Sequence, residues 1–211
     1  MNDAALAHLR RVDPVMRRVI REVGPCTLRP RLERTPFEAL VRAVAHQQLH
    51  GAAAETILRR FIALFPGRRF PRPVDLDAVA DDSLRAAGFS RAKVLAVRDL
   101  AGQARAGVVP GTRAIRRLAD EEIVTRLTRV RGVGRWTVEM LLIFKLGRPD
   151  VLPVDDFGVR NGFRLAYGRP EMPRPRELGE FGERWRPHRT TAAWYLWRAA
   201  DRAREAARPG T

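Results

Sequence analysis

Gly132 and Gly134 interrupt a long helical stretch, and this interruption constrains the chain more than any other feature. The surrounding segment, residues 120–163, reads DEEIVTRLTRVRGVGRWTVEMLLIFKLGRPDVLPVDDFGVRNGF. Asp120 is the expected N-cap of a helix whose first turn carries Glu121 and Glu122, both suited to the positive end of a helix. Ile123, Leu127 and Val130 fall on one face at helical spacing. Arg131-Gly132-Val133-Gly134 is then a hairpin in which both glycines can adopt positive φ and neither places a side chain before a ligand. A second helix from about Arg135 directs its unsatisfied N–H groups out of that hairpin, which makes an anion site. Downstream, a Pro-punctuated loop leads to an acidic pair, Asp155-Asp156.

Charge indicates which anion to expect. Among 211 residues, 40 are Lys or Arg and 24 are Asp or Glu, a formal net charge of +16. Such an excess favours a polyanionic partner, with nucleic-acid phosphate first. Nearly all the cations are arginine, lysine occurring only at Lys93 and Lys145. A single cysteine, Cys26, excludes an intramolecular disulfide, a zinc ribbon and an all-cysteine iron–sulfur cluster. Of the four histidines only His46 and His50 have a helical metal-ligand spacing, and no third ligand stands near them in sequence. No apolar run reaches the ~18 residues of a membrane span, and the N-terminus lacks a signal-peptide core. The expectation is a cytoplasmic, DNA-associated monomer that engages no membrane.

Along the rest of the chain, helix signals recur and strand alternation does not. Asp13-Pro14 starts a helix that Gly24 stops, after a shorter one at the N-terminus. Thr35-Pro36-Phe37-Glu38 has the form of a capping box. The helix it starts meets a polar break, His46-Gln47-Gln48-Leu49-His50-Gly51, before another over about 52–64. Asp75 and Asp81 are expected to cap short helices, Ser90 a longer one over about 91–105, and a short helix is expected near 113–119. After Asp156 come helices to about Tyr167, over about 176–185, and finally one carrying Trp194, Tyr195, Leu196 and Trp197, with a frayed tail at 207–211. The reading is all-α. It places 37–148 in one helical subdomain with the hairpin, and 1–36 plus 149–211 in a second that carries the Asp loop and the C-terminal helix. An active-site cleft is expected between the two.

The patterns LTRVRGVGRWTVEMLLIF and VLPVDDFGVRNGF together resemble the helix-hairpin-helix DNA glycosylases. FEALVRAVAHQQLHGAAA, RGVGRWT with LPVDD, and RWRPHRTTAAWYLWR are most similar to the alkylation-repair branch, DNA-3-methyladenine glycosylase II. The resemblance spans about residues 37 to 198 and lacks that branch's N-terminal β-rich domain. It implies hydrolysis of the N-glycosidic bond of a flipped-out alkylated purine in double-stranded DNA, with no required cofactor and no iron–sulfur cluster. It assigns the catalytic carboxylate to Asp156, leaving Asp155 as a cap or loop brace.

Trp136 occupies the position where lyase-competent relatives carry a Schiff-base lysine, so base release without strand cleavage is implied. Trp136 and Trp197 become walls of the base pocket, with Trp185 and Trp194 left to the core. Gly132, Gly134 and Arg135 become DNA contacts. Gln48 aligns with the wedge that fills the vacated stack, and Leu49 follows it. The carbonyls of Thr128, Val130 and Val133 match those that hold a monovalent cation. Two alternatives stand beside this reading: a non-catalytic DNA-binding module, and a glycosylase for deaminated or oxidised bases.

Overall fold

The computed structural model describes residues 3–49 and 51–207, and every regular element among them is helical. His50 of the considered histidine pair and residues 208–211 of the tail lie outside the described residues. In chain order the α-helices are α1 (Asp3–Val12), α2 (Pro14–Val23), α3 (Pro36–His46), α4 (Gly51–Ala63), α5 (Asp81–Ala86) and α6 (Arg91–Arg105). They continue with α7 (Thr112–Ile115), α8 (Asp120–Leu127), α9 (Arg135–Leu141), α10 (Phe157–Ala166), α11 (Pro175–Gly182) and α12 (Arg189–Ala206). A π-helical turn, Leu142–Leu146, extends α9. The chain forms two compact units, a contiguous one over Arg31–Leu146 and a split one made of Met1–Pro30 with Gly147–Thr211.

In the split unit, α2 starts where Asp13 Oδ1 accepts the N–H groups of Val15 and Met16, both at 3.0 Å. Pro14 follows at the first helical position, where no N–H is needed. Asp13 is only 1% exposed, and a carboxylate so buried requires further donors. Its Oδ2 accepts the Trp185 indole N–H at 2.9 Å and the Tyr167 hydroxyl. Burial first, the hydrogen bond to Asp13 second and the Asp13 charge third push the Tyr167 phenol far above its ordinary pKa. One side chain thus caps α2 and ties it to the end of α10 and to the turn after α11. This gives the N-terminal helices a definite place: they complete the core around Leu9, Met16, Ile20, Phe163, Trp185 and Tyr195.

Helix α10 lies directly against α12. A Cβ built on Gly162 would stand 1.9 Å from the Leu196 carbonyl oxygen, so only glycine permits this approach. The loop feeding α10 is anchored to the start of α12. Thr190 Oγ1 donates to the Arg148 carbonyl at 2.6 Å and accepts the Val151 N–H at 3.0 Å. The Asp150 carboxylate is held by Arg189 and Arg186, each at 2.8 Å.

In the contiguous unit, α3 starts as the sequence predicts, with Thr35 Oγ1 accepting the Glu38 N–H at 3.1 Å. Glu38, buried, turns to Arg42 at 3.1 Å. Ser90 caps α6 through the Lys93 N–H, and α6 has the predicted limits. Three expected caps are corrected. Asp75 lies inside a 3-10 turn, Pro73–Ala78, and accepts the Arg72 N–H from within it at 2.7 Å. Asp81 and Asp120 are the first residues of α5 and α8, whose N-caps are Ala80 and Ala119. A carboxylate in a first turn favours a helix almost as a cap does, so the two positions look alike in sequence. The helix expected near 113–119 is the single turn α7.

Asp13→Ala removes the α2 cap, costing about 1 kcal/mol, and leaves buried donors on Trp185 and Tyr167 unpaired, each costing about 1–3 kcal/mol. Urea unfolding monitored by tryptophan fluorescence is expected to show a loss of roughly 3 kcal/mol or more. A loss within 0.5 kcal/mol, about the range of an ordinary surface substitution, would show that Asp13 does not organise this unit.

Candidate functional site

The hairpin between α8 and α9 is a short turn closed by Val133 N–H on the Val130 carbonyl at 3.1 Å. Gly132 takes φ +74, as expected for a left-handed glycine, and a Cβ there would crowd Ala96 at 3.1 Å. Gly134 is a correction: it is extended, φ −86 and ψ 171, and serves as the N-cap of α9. Its lack of a side chain keeps the helix start open, with nothing within 4 Å of an added Cβ. Arg131 N–H donates to Asp99 Oδ2 at 2.7 Å, which fixes the entry to the turn. Arg135 forms two parallel bonds to Glu121, at 3.0 and 2.8 Å. Those bonds, first among the causes, hold the Glu121 carboxyl below its ordinary pKa.

The polar break after α3 is built against this hairpin. Gln47 ends α3, and its side-chain amide donates to the Gly132 carbonyl at 2.9 Å. Lys93, from the first turn of α6, donates to the carbonyls of Ala45 at 2.9 Å and Gln47 at 2.8 Å. An ammonium at the negative end of α3 neutralises its unpaired carbonyls. The chain then turns through Gln48 at φ +57, a left-handed conformation uncommon outside glycine. Leu49 follows, 40% exposed. The two wedge candidates therefore project from a strained, tethered corner. Sequence reading missed Gln47, Lys93 and Asp99 as its supports. The adjacent Gln47-Gln48 pair was visible, but nothing distinguished the brace from the tip.

In the split unit, the two expected site residues Asp156 and Trp197 meet. Asp156 is the N-cap of α10, its Oδ1 accepting the Val159 N–H at 2.8 Å. The same oxygen accepts the Trp197 indole N–H from α12 at 2.7 Å. The Asp156 N–H is bound to the Pro153 carbonyl at 3.0 Å, so backbone and side chain are both set. Asp155 is exposed and caps no helix; the capping role belongs to Asp156. Gly158 makes the indole contact possible: a Cβ there would lie 2.8 Å from Trp197 Cδ1 and 3.1 Å from Asp156 Oδ1. Phe157, next to Asp156, is 67% exposed.

In the contiguous unit Trp136, in the first turn of α9, is 40% exposed. Trp185 and Trp194 are buried. A groove of about 580 Å³ in this unit, lined by residues from 33–38, 67–73 and 109–112, contains none of the expected site residues. Among the described residues no cluster of three or more His, Cys, Asp or Glu side chains could hold a metal. No helix among them is long and apolar enough to cross a membrane.

The model of the HhH-GPD superfamily base excision DNA repair proteins matches residues 41–187. The chain is 40% identical over 197 residues to DNA-3-methyladenine glycosylase 1 of Schizosaccharomyces pombe, covering 93% of this chain and 86% of that protein. It is 34% identical to the alkylbase DNA glycosidase-like protein mag2 of the same yeast, over 90% of each. Among solved structures, the S. pombe 3-methyladenine DNA glycosylase in complex with abasic DNA superposes with a TM-score of 0.84, over 92% of this chain and 95% of that one. A DNA-3-methyladenine glycosidase from Bacillus halodurans, 31% identical, gives 0.86 over 97% and 92%.

Gln47→Ala leaves the Gly132 carbonyl without its amide donor and frees the corner at Gln48. A stability loss of about 1 kcal/mol is expected, with amide hydrogen exchange accelerated at 131–134. Unchanged exchange across the hairpin would show that Gln47 does not brace it.

Proposed function

Because the chain belongs to the HhH-GPD superfamily of base excision DNA repair proteins, we propose that it is a monofunctional DNA glycosylase for alkylated purines such as 3-methyladenine in double-stranded DNA. The observation that carries this reading is Asp156: a carboxylate at the positive end of α10, held by two donors on one oxygen. Two close relatives bear alkyl-base glycosylase names, and the match to each covers nearly the whole chain.

The chemistry follows from the substrate. The target C1′–N bond lies inside the duplex, so the nucleotide is first extruded. The hairpin at Gly132 and Gly134, with Arg135, holds phosphate on the damaged strand, while Gln48 or Leu49 fills the vacated space. A purine methylated at a ring nitrogen carries positive charge and departs as a neutral base, taking the bonding electron pair. The deoxyribose is left as an oxocarbenium ion. The Asp156 carboxylate stabilises that cation and directs water to C1′; the water oxygen bonds to carbon and its proton is lost to solvent. Trp136 in one unit and Trp197 in the other each offer an aromatic face of the kind that attracts a cationic base. A neutral deaminated or oxidised base would need leaving-group protonation, for which no acid stands out among these residues. A purely DNA-binding module would have no use for Asp156.

The carbonyls of Thr128, Val130 and Val133 are the neutral oxygens that would hold a monovalent cation here; that of Val130 already accepts the Val133 N–H at 3.1 Å and keeps a second lone pair. When bound, such an ion supplies positive charge beside the phosphate contact.

Asp156→Asn keeps a side-chain oxygen for Val159 and Trp197 while removing the charge and replacing the other oxygen with an amide donor. Base release from methylated duplex DNA is expected to fall about 10²- to 10³-fold, in line with the loss of a principal electrostatic stabiliser, with DNA affinity retained. Full release by this variant would overturn the assignment. With tryptophan in the lysine position at Trp136, borohydride is expected to trap no covalent protein–DNA adduct. A robust adduct would show that an amine elsewhere attacks the sugar.

A further inference from the structure

Trp197 makes a contact that a pocket wall does not require. Its indole N–H reaches Asp156 Oδ1 at 2.7 Å, shorter than the 2.8 Å bond from the Val159 backbone to the same oxygen. Two glycines of α10, one turn apart, allow this. Gly162 lets α12 approach until its Leu196 carbonyl touches the α10 backbone, and Gly158 leaves the space into which the neighbouring indole enters. A methyl group at Gly158 would meet Trp197 Cδ1 at 2.8 Å and Nε1 at 3.1 Å. Both oxygen-directed donors therefore come from rigid helices, one from each side of Asp156.

We propose that Trp197 is a positioning residue for the reaction: its indole N–H, together with the Val159 N–H, fixes the plane of the Asp156 carboxylate toward the sugar. The inference rests on the glycosylase reading and adds to it, because it moves the main contribution of Trp197 from the base to the carboxylate. The cap bond alone leaves a carboxylate free to swing about its Oδ1 anchor. A second donor on that oxygen, from a different helix, removes this freedom, and orientation at the reacting centre is worth large rate factors.

The two roles separate experimentally, because Trp197→Phe retains an aromatic face and loses only the N–H and the outer ring. Three measurements are made on wild type and variant. They are the single-turnover rate of base release from methylated duplex DNA, the Kd for a duplex with a tetrahydrofuran abasic site, and the Kd for a duplex whose abasic sugar is a pyrrolidine. The pyrrolidine is cationic and the tetrahydrofuran neutral, and neither carries a base, so the ratio of their affinities reports how well the carboxylate faces the sugar. Trp197→Phe is expected to slow release by about 10- to 100-fold and to reduce the preference for pyrrolidine by about 10-fold, with tetrahydrofuran binding unchanged.

Gly158→Ala, whose methyl would crowd both Trp197 Cδ1 at 2.8 Å and Asp156 Oδ1 at 3.1 Å while keeping the indole, disturbs the same bond from both ends and is expected to shift release and pyrrolidine preference in the same direction. Slower release with an undiminished pyrrolidine preference would overturn the proposal and leave Trp197 as a base contact only. So would an unchanged rate in both variants. A wild-type protein that neither releases methylated bases nor prefers the pyrrolidine duplex would instead overturn the glycosylase reading.

Discussion

Everything in the split unit depends on how closely α10 and α12 approach. Helix axes usually stand apart by the thickness of the side chains between them. Here Gly162 removes that layer at one point, and the Leu196 carbonyl lies where a Cβ would be. The next residue of α12, Trp197, is thereby brought to the first turn of α10, where Gly158 accommodates its ring. The indole bond thereby joins the local helix cap on Asp156 Oδ1, while Thr190 anchors the preceding loop at Arg148 and Val151. A wider spacing would leave each element intact and the carboxylate unsupported on one side.

The sequence disclosed elements more readily than their uses. Asp13, Ser90 and Thr35 were legible as caps because each combines a polar side chain with a helical pattern immediately after it. Asp75, Asp81 and Asp120 misled by a few positions, since acidic residues suit both the cap and the first turn. Gly132 and Gly134 read alike, yet one uses positive φ and the other uses only its missing side chain. Of the candidate site, Asp156 and Trp197 were each visible, but the bond between them was not. It spans 41 positions and depends on glycines whose purpose appears only when α12 is in place. Gln47 was hidden for the same reason: its partner Gly132 is 85 positions away.

The large positive charge is less freely available than its total implies. Arg186 and Arg189 are committed to Asp150 and Glu183, Arg98 to Asp81, and Arg135 to Glu121. Of these, Arg189–Asp150 is largely buried, whereas an exposed pair such as Arg135–Glu121 contributes little to stability and can exchange a carboxylate for a phosphate at small cost. Arg135 is the clearest example, because the trade would occur beside the hairpin. Glu121 holds the guanidinium through two bonds, at 3.0 and 2.8 Å.

The Asp13 hub also orders events in time. During synthesis Asp13 emerges well before Trp185, which must donate to it and lies 172 residues further on. The contiguous unit, 31–146, is complete before α10 has been made. Folding as chains are synthesised proceeds by whatever units are already closed. Helices α1 and α2 must therefore wait, their carboxylate solvated, while the hairpin-bearing unit forms. Helix α12, made later still, then closes the core around Asp13 and delivers the indole to Asp156. The carboxylate at the centre of the proposed chemistry acquires its indole donor only after the 41 positions that separate it from Trp197 have been made.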